Sequence, residues 1–108
     1  MRVAGVYRNN KLAGILREIS PAQYEFEYDE VYRNDPALPA ISLTLSKSNQ
    51  TYHSDHLFPF FFNLLSEGVN RKLQSRQLKI DESDYFGLLL ATAKTDTIGA
   101  ITVKEIKP

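Results

Sequence analysis

The sequence predicts an α+β fold, with a small antiparallel β-sheet packed on one side by about three helices. The first half of the chain alternates apolar and polar residues, most clearly in Gln23–Asp29, which is typical of half-buried strands. The second half instead has apolar residues at helical spacing, and a last alternating stretch follows. Strands, then helices, then one strand is the order of an α+β domain. The chain has 108 residues, which fits a single domain over residues 1–108.

A β-hairpin is predicted at the N-terminus. Val3–Tyr7 and Lys11–Leu16 flank the segment Arg8-Asn9-Asn10. Asparagine tolerates the positive φ that a two-residue hairpin turn requires. We therefore expect these two stretches to pair as antiparallel strands.

The next two strands are predicted from alternation. In Gln23–Asp29 the aromatic residues Tyr24, Phe26 and Tyr28 share one face, which we expect to pack in the core rather than to stack nucleic-acid bases. Ile41–Leu45 alternates again and is predicted to be a short strand. A polar loop is expected from Ser46 to Gln50.

The phenylalanine-rich run predicts a helix that is apolar around much of its girth. Ser54 is the expected N-cap, Pro59 lies in the early turns, and Gly68 is the expected C-terminal stop. Phe58 and Phe62 lie off the predicted buried stripe. That stripe consists of Leu57, Phe60, Phe61, Leu64 and Leu65. A domain this small is expected to leave part of this apolar surface uncovered, as a docking surface.

The remaining elements complete the pattern. Val69–Leu78 is predicted to be a basic helix, and a third helix is predicted to be capped by Asp81 or Ser83. Its expected buried stripe consists of Phe86, Leu89, Leu90 and Ala93. A turn at Asp96-Thr97 leads into a predicted final strand, Ile98–Val103.

Composition restricts the function classes. Thirteen basic residues balance thirteen acidic residues, so direct nucleic-acid binding is not expected. The chain has no cysteine, shows no signal peptide, and its apolar run is too short to cross a bilayer. We therefore expect a cytoplasmic protein without a membrane partner.

The residues suggest no enzyme chemistry. His53 and His56 flank Asp55 and could begin a metal site, but no further ligands are evident, so surface or capping roles are favoured. Glu25 and Glu27 share the polar face of a strand and are expected to be solvated rather than an acid–base pair. Phosphate-binding and kinase catalytic motifs are absent. We expect no catalytic residue, no cofactor and no metal.

A cluster of cations leaves two interpretations open. Four basic residues, Arg71, Lys72, Arg76 and Lys79, fall in one short segment. They form either a solvated helix face or a patch that meets an acidic partner.

Several motifs together resemble a known family. Phe60–Gly68 resembles the signature FF-x-N-L-L-P-E-G, with Ser66 in place of the proline. Other pieces stand around it in the family order: Gly14-Ile15-Leu16, Tyr24–Tyr28 before Tyr32, Leu38–Leu43, Asp84–Leu89 and Asp96–Ile101. Over nearly its whole length, the chain resembles the first N-terminal subdomain of HipA-type serine/threonine kinases of bacterial toxin–antitoxin systems.

The resemblance implies a partner protein. In some relatives this subdomain is a separate antitoxin (HipS-like) that binds and inhibits a HipA- or HipT-like kinase, sometimes beside a helix-turn-helix HipB-like protein. The alternative is a structural subdomain that completes a split kinase in trans without inhibiting it. The residues expected to bind the kinase are Phe58, Phe62, Ser66, Glu67, Gly68, Val69, Asn70 and Arg71. Val69 stands where antitoxin-type relatives carry a bulky aromatic residue, and the chain has no tryptophan to fill a kinase cleft.

Overall fold

The computed structural model describes residues 1–65, 68–94 and 100–107, and confirms the α+β fold class. Within these residues, a five-stranded antiparallel sheet has the order β4-β3-β2-β1-β5. The strands are β1 (Arg2–Arg8), β2 (Lys11–Ser20), β3 (Gln23–Tyr28), β4 (Thr51–Ser54) and β5 (Ile101–Glu105). The helices are α1 (Glu30–Asn34), α2 (Pro59–Phe62), α3 (Gly68–Leu78) and α4 (Tyr85–Thr92).

The N-terminal hairpin is confirmed. Arg8 pairs with Lys11, and the two residues between them, Asn9 and Asn10, have φ of 50° and 66°. Positive φ at both positions is the geometry of a type I′ turn, which matches the right-handed twist of the flanking strands.

Gly14 on β2 is required by a close approach of the next strand. A Cβ atom at this position would lie 2.4 Å from the carbonyl oxygen of Glu27 and 2.7 Å from the ring of Phe26. Only glycine therefore allows β2 and β3 to lie this close at this point.

The aromatic face of β3 forms the centre of the core, as predicted. Tyr24, Phe26 and Tyr28 are all buried, and the Phe26 ring lies 5.7 Å from that of Phe61 on α2. Tyr24 lies 6.4 Å from Phe86 on α4, between ring centroids. The helices therefore cover this face of the sheet.

The other face of the sheet is the polar one. Glu25 and Glu27 lie there, and both accept hydrogen bonds from the guanidinium group of Arg17, at 3.5 Å and 3.0 Å.

The predicted strand Ile41–Leu45 is wrong. Ser42 and Leu45 form an isolated bridge that closes a tight turn, and Leu43 at its tip is fully exposed. The hydroxyl group of Tyr28 accepts a hydrogen bond from the backbone N–H of Ile41 and donates one to the carbonyl oxygen of Leu45. These backbone groups therefore bond to a side chain instead of a neighbouring strand.

The predicted long phenylalanine-rich helix is also wrong. Ser54 ends β4, and its hydroxyl oxygen accepts a hydrogen bond from the N–H of His56. Helix α2 begins at Pro59, ends at Phe62, and has no side-chain cap at Phe58. Gly68 begins α3 instead of ending α2.

The last helix begins later than predicted. Its N-cap is Asp84, which accepts a hydrogen bond from the N–H of Gly87, whereas Asp81 accepts bonds from Ser83 in the preceding turn. The expected stripe is buried except for Leu90, which is half-buried, and Leu88 is buried as well. The final strand begins at Ile101, and the predicted turn Asp96-Thr97 and strand residues Ile98 and Gly99 lie outside the described residues.

Candidate partner-binding surface

One aromatic–arginine cluster joins three helices at the surface. The rings of Phe62 (α2) and Tyr85 (α4) meet edge to face, with centroids 5.1 Å apart and planes at 88°. The guanidinium carbon of Arg71 (α3) lies 5.4 Å from the Phe62 centroid and 5.8 Å from the Tyr85 centroid. A cation over a ring face is attracted by the quadrupole of the ring, so Arg71 fixes both rings against α3. We call this group the Phe62–Arg71–Tyr85 cluster.

Two shallow grooves flank α2 and share Pro59 and Asn63 in their walls. The first groove has a volume of about 290 Å³ and a mostly apolar lining. Its wall consists of His56, Leu57, Pro59, Phe62, Asn63 and Tyr85. The second groove has a volume of about 360 Å³. Its wall consists of Ser42, Thr44, Pro59, Phe60, Asn63 and Leu64.

Exposed apolar side chains stand beside these grooves. Leu43 lies between two residues that line the second groove, and its side chain is 102% exposed. Tyr85 lines the first groove and is 38% exposed. Grooves of this kind next to exposed apolar side chains are typical of sites where another molecule docks.

A charged clamp fixes the end of α4 that carries Tyr85. Arg2 donates hydrogen bonds to Asp84 at 2.7 Å and 3.0 Å and to Glu18 at 2.8 Å and 2.9 Å. The hydrogen bond from Arg2 holds the pKa of Asp84 below its ordinary value. The same carboxylate caps α4, so the clamp ties β1 and β2 to the first turn of that helix. We call these three residues the Arg2 clamp.

The structure brings together only some of the residues predicted from sequence to bind a partner. Phe62 and Arg71 meet in the cluster, and Asn70 is exposed on α3. Phe58 is buried, with 6% of its surface exposed, and lies 6.3 Å from Phe61 between ring centroids. Ser66 and Glu67 lie outside the described residues, and only the backbone of Gly68 and Val69 is described.

Two residues of this surface were missed in the sequence. Tyr85 lies off the buried stripe of α4, so the apolar periodicity did not mark it. Its position directly after the N-cap residue Asp84 was the signal available in the sequence. Leu43 had been assigned to a strand, where alternation would have placed it on the same face as Ile41 and Leu45. No periodicity in the sequence distinguishes an exposed turn leucine from a strand leucine.

His53 lies on β4, and His56 lies in the exposed turn that follows it. His56 Nδ1 lies 2.6 Å from Asp55 Oδ1 on an exposed turn. In residues 1–65, 68–94 and 100–107, no three metal-ligating side chains come together. The same residues include no helix long and apolar enough to cross a membrane.

Comparison with known proteins places the chain in a family. The family model described as the HipA N-terminal domain matches residues 4–104. A solved structure described as the N-terminal domain of HipA toxin superposes with a TM-score of 0.74 at 28% identity, covering 99% of this chain and 94% of that chain. An uncharacterized protein of Haemophilus influenzae is 32% identical over 107 residues, which cover 99% of this chain and 95% of the relative.

These matches define a small domain of the kind found in HipA proteins, distinct from the kinase domain itself. The chain belongs to the HipA N-terminal domain family. Membership implies association with a HipA-like kinase component.

Proposed function

We propose that this protein is a non-catalytic small subunit that binds and inhibits a HipA- or HipT-like serine/threonine kinase in the bacterial cytoplasm. The observation that carries the proposal is the apolar surface around α2, which lies on a domain of the HipA N-terminal family. Its grooves and exposed side chains give a kinase a place to bury apolar area, and burial of such anchors dominates the binding energy of protein interfaces.

The Phe62–Arg71–Tyr85 cluster is the proposed centre of the contact. Its residues are already held by ring and cation contacts, so little side-chain freedom is lost when a partner binds. Tyrosine and arginine are also the residue types that most often carry the binding energy of an interface. The sequence segment Ser66–Arg71, which ends at Arg71 of this cluster, is proposed to reach the kinase cleft.

Phe58 has a different proposed role from Phe62. Because its ring is buried against Phe61, Phe58 supports the surface from beneath. A partner would contact it only at the small exposed fraction. The proposed mode of inhibition does not use a tryptophan plug, since the chain has no tryptophan. It relies on holding the kinase lobes in an inactive arrangement or blocking access of its substrate.

The binding test is co-purification with a HipA-type kinase encoded beside this protein, followed by affinity measurement. We expect Phe62→Ala and Tyr85→Ala each to weaken the complex at least about tenfold, as for central interface residues. Tyr7→Ala is the matched control, because Tyr7 lies on β1 beside Lys104 and lines neither groove. Absence of a complex at micromolar concentration would remove the proposal.

The alternative function is structural. The similar solved structure is the N-terminal domain of a HipA toxin, so this chain could complete a split kinase in trans without inhibiting it. A growth assay separates the two: rescue of cells that express the kinase supports inhibition. If the complex forms but kinase activity and growth arrest persist, the structural role is correct.

A helix-turn-helix HipB-like protein is a proposed further partner, as in related gene clusters. This assignment rests on family membership alone. Co-purification of all three proteins, and loss of the HipB-like protein when the kinase is omitted, would show whether contact is direct.

A further inference from the structure

We infer that the outward face of α3 is a second docking face, and that it fits an acidic surface on the partner protein. The inference rests on the proposed function for the identity of that partner, a HipA-like kinase. Its chemistry is argued from α3 alone.

Helix α3 has two distinct sides. Arg71, Gln74 and Ser75 are half-buried and face α4 and the rest of the domain. Lys72, Leu73, Arg76 and Gln77 are exposed, and their spacing of three and four residues places them on one face. Leu73 is 48% exposed between two cations on this face. We call this exposed side of the helix the basic face of α3.

The charge of this face selects the partner. The face carries two basic side chains, Lys72 and Arg76, and residues 68–79 include no acidic one. The acidic turn of Asp81 and Glu82 adjoins Arg71 on the inward side. Among the described residues, neither Lys72 nor Arg76 makes an ion pair. An acidic protein surface with an apolar depression for Leu73 complements this arrangement.

Nucleic acid fits the same face less well. The whole chain has no net charge, and this face offers two cations, Lys72 and Arg76, to neutralise the phosphates of a duplex. An acidic protein surface can be matched to one helix face, whereas a DNA duplex presents a uniform line of charge. We therefore assign the face to a protein partner.

The first experiment tests the chemistry without the kinase. The isotopically labelled chain is titrated with an oligoglutamate peptide, a short DNA duplex, or phosphatidylserine vesicles, and amide shifts are followed by NMR. We expect oligoglutamate to shift the amides of residues 70–77, and this response to be lost in Lys72→Gln/Arg76→Gln. The matched control Lys11→Gln/Lys107→Gln has the same net charge as Lys72→Gln/Arg76→Gln and should respond like the unaltered chain. If α3 does not shift, if the control loses the response equally, or if DNA or vesicles bind more tightly, the inference is wrong.

The second experiment uses the kinase complex. We expect Lys72→Gln/Arg76→Gln to lower the association rate about tenfold at about 50 mM salt and to have little effect at about 300 mM salt, since screening removes electrostatic steering. Equal rates for this variant and the Lys11/Lys107 control would overturn the inference while leaving the proposed function intact. If the unaltered chain binds no kinase, the proposed function fails, and the oligoglutamate titration still decides the chemistry of the face.

Discussion

Removing the guanidinium group of the Arg2 clamp should destabilise the domain and displace Tyr85. We choose Arg2→Met, which keeps an unbranched apolar stem over the ring of Phe86, where the Arg2 guanidinium lies 5.1 Å from the ring centroid. The variant therefore separates the charged contacts of the guanidinium group from the packing of the side-chain stem.

The expected loss in the free energy of unfolding follows from the four hydrogen bonds that Arg2 donates to two carboxylate groups. Each such bond contributes about 1.5–3 kcal/mol where solvent is excluded. The Arg2 and Asp84 side chains are 35% and 33% exposed, so solvent screens their half of the clamp. Glu18 is 15% exposed, and without Arg2 its carboxylate keeps, among the described residues, the single hydrogen bond donated by the Tyr24 hydroxyl group, at 3.3 Å. We expect a loss of about 2–3 kcal/mol in the free energy of unfolding.

Denaturant unfolding measures this loss, and Asp84→Asn provides the matched comparison. The asparagine oxygen can still accept the hydrogen bond from Gly87 N–H, which spans 3.1 Å in the native protein, so the helix cap is kept and the charge is lost. A double-mutant cycle of the two changes should give a coupling of about 1 kcal/mol. A cost below about 0.5 kcal/mol for Arg2→Met would show that the clamp is only a surface ion pair.

The clamp also predicts the direction of the pH dependence. The pKa of Asp84 lies below its ordinary value of 3.8. A carboxyl group with a lowered pKa stabilises the fold above its unfolded pKa, and that contribution is lost as the pH falls through the folded pKa. The stability difference between the native protein and Arg2→Met should therefore be constant from about pH 5 to 8 and shrink below about pH 4. A difference that grows on acidification contradicts this assignment.

Three further substitutions, with Gly5→Ala as a comparison for one of them, test the packing of the domain, each by the free energy of unfolding. Tyr28→Phe should cost about 1–3 kcal/mol, since the carbonyl oxygen of Leu45 loses its donor. Burial raises the pKa of the Tyr28 hydroxyl group to about 12. The stabilisation by the neutral hydroxyl group is therefore complete below the ordinary pKa of 10 and is lost as the pH rises through 12, whereas the Tyr28→Phe variant lacks this pH dependence. Gly14→Ala should cost more than about 2 kcal/mol, because the added Cβ meets the backbone of Glu27. In Gly5→Ala the added Cβ meets a side-chain ring at 3.0 Å, so this variant should cost less. Equal costs for the two variants would refute the close approach of β2 and β3 at Gly14. Phe58→Ala should cost about 3–5 kcal/mol, and a stability close to native would mean that its ring is not part of the core.

The sequence predicted those elements whose pattern is local. The N-terminal hairpin follows from two asparagines, and the core face of β3 follows from alternation, since both signals lie within a few residues. Tyr28 shows why the turn at Ile41–Leu45 could not be predicted from the sequence. The hydroxyl group of Tyr28 bonds the backbone of Ile41 and Leu45 from 13 and 17 residues away, and that contact replaces strand pairing. No local pattern contains this information.

The candidate surface was predicted only in part for the same reason. Phe62 and Arg71 were expected to bind a partner, but their meeting with Tyr85 depends on how three helices pack. Tyr85 is held there by the Arg2 clamp, whose ends are 82 residues apart in sequence. The basic residues of α3 could be identified in the sequence, whereas the side of the helix that faces solvent could not.

The division of the phenylalanine-rich run explains how a domain this small has both a core and a docking surface. Pro59 starts α2 and the helix ends after one turn, so the rings do not follow a single helical stripe. Phe58 and Phe61 point into the core, while Phe60 and Phe62, each only half-buried, line the two grooves. A longer regular helix would have placed Phe58 and Phe62 on the same side, because they are four residues apart. The short helix therefore separates them, and this separation leaves Phe62 at the surface beside Arg71 and Tyr85 while Phe58 supports it from within.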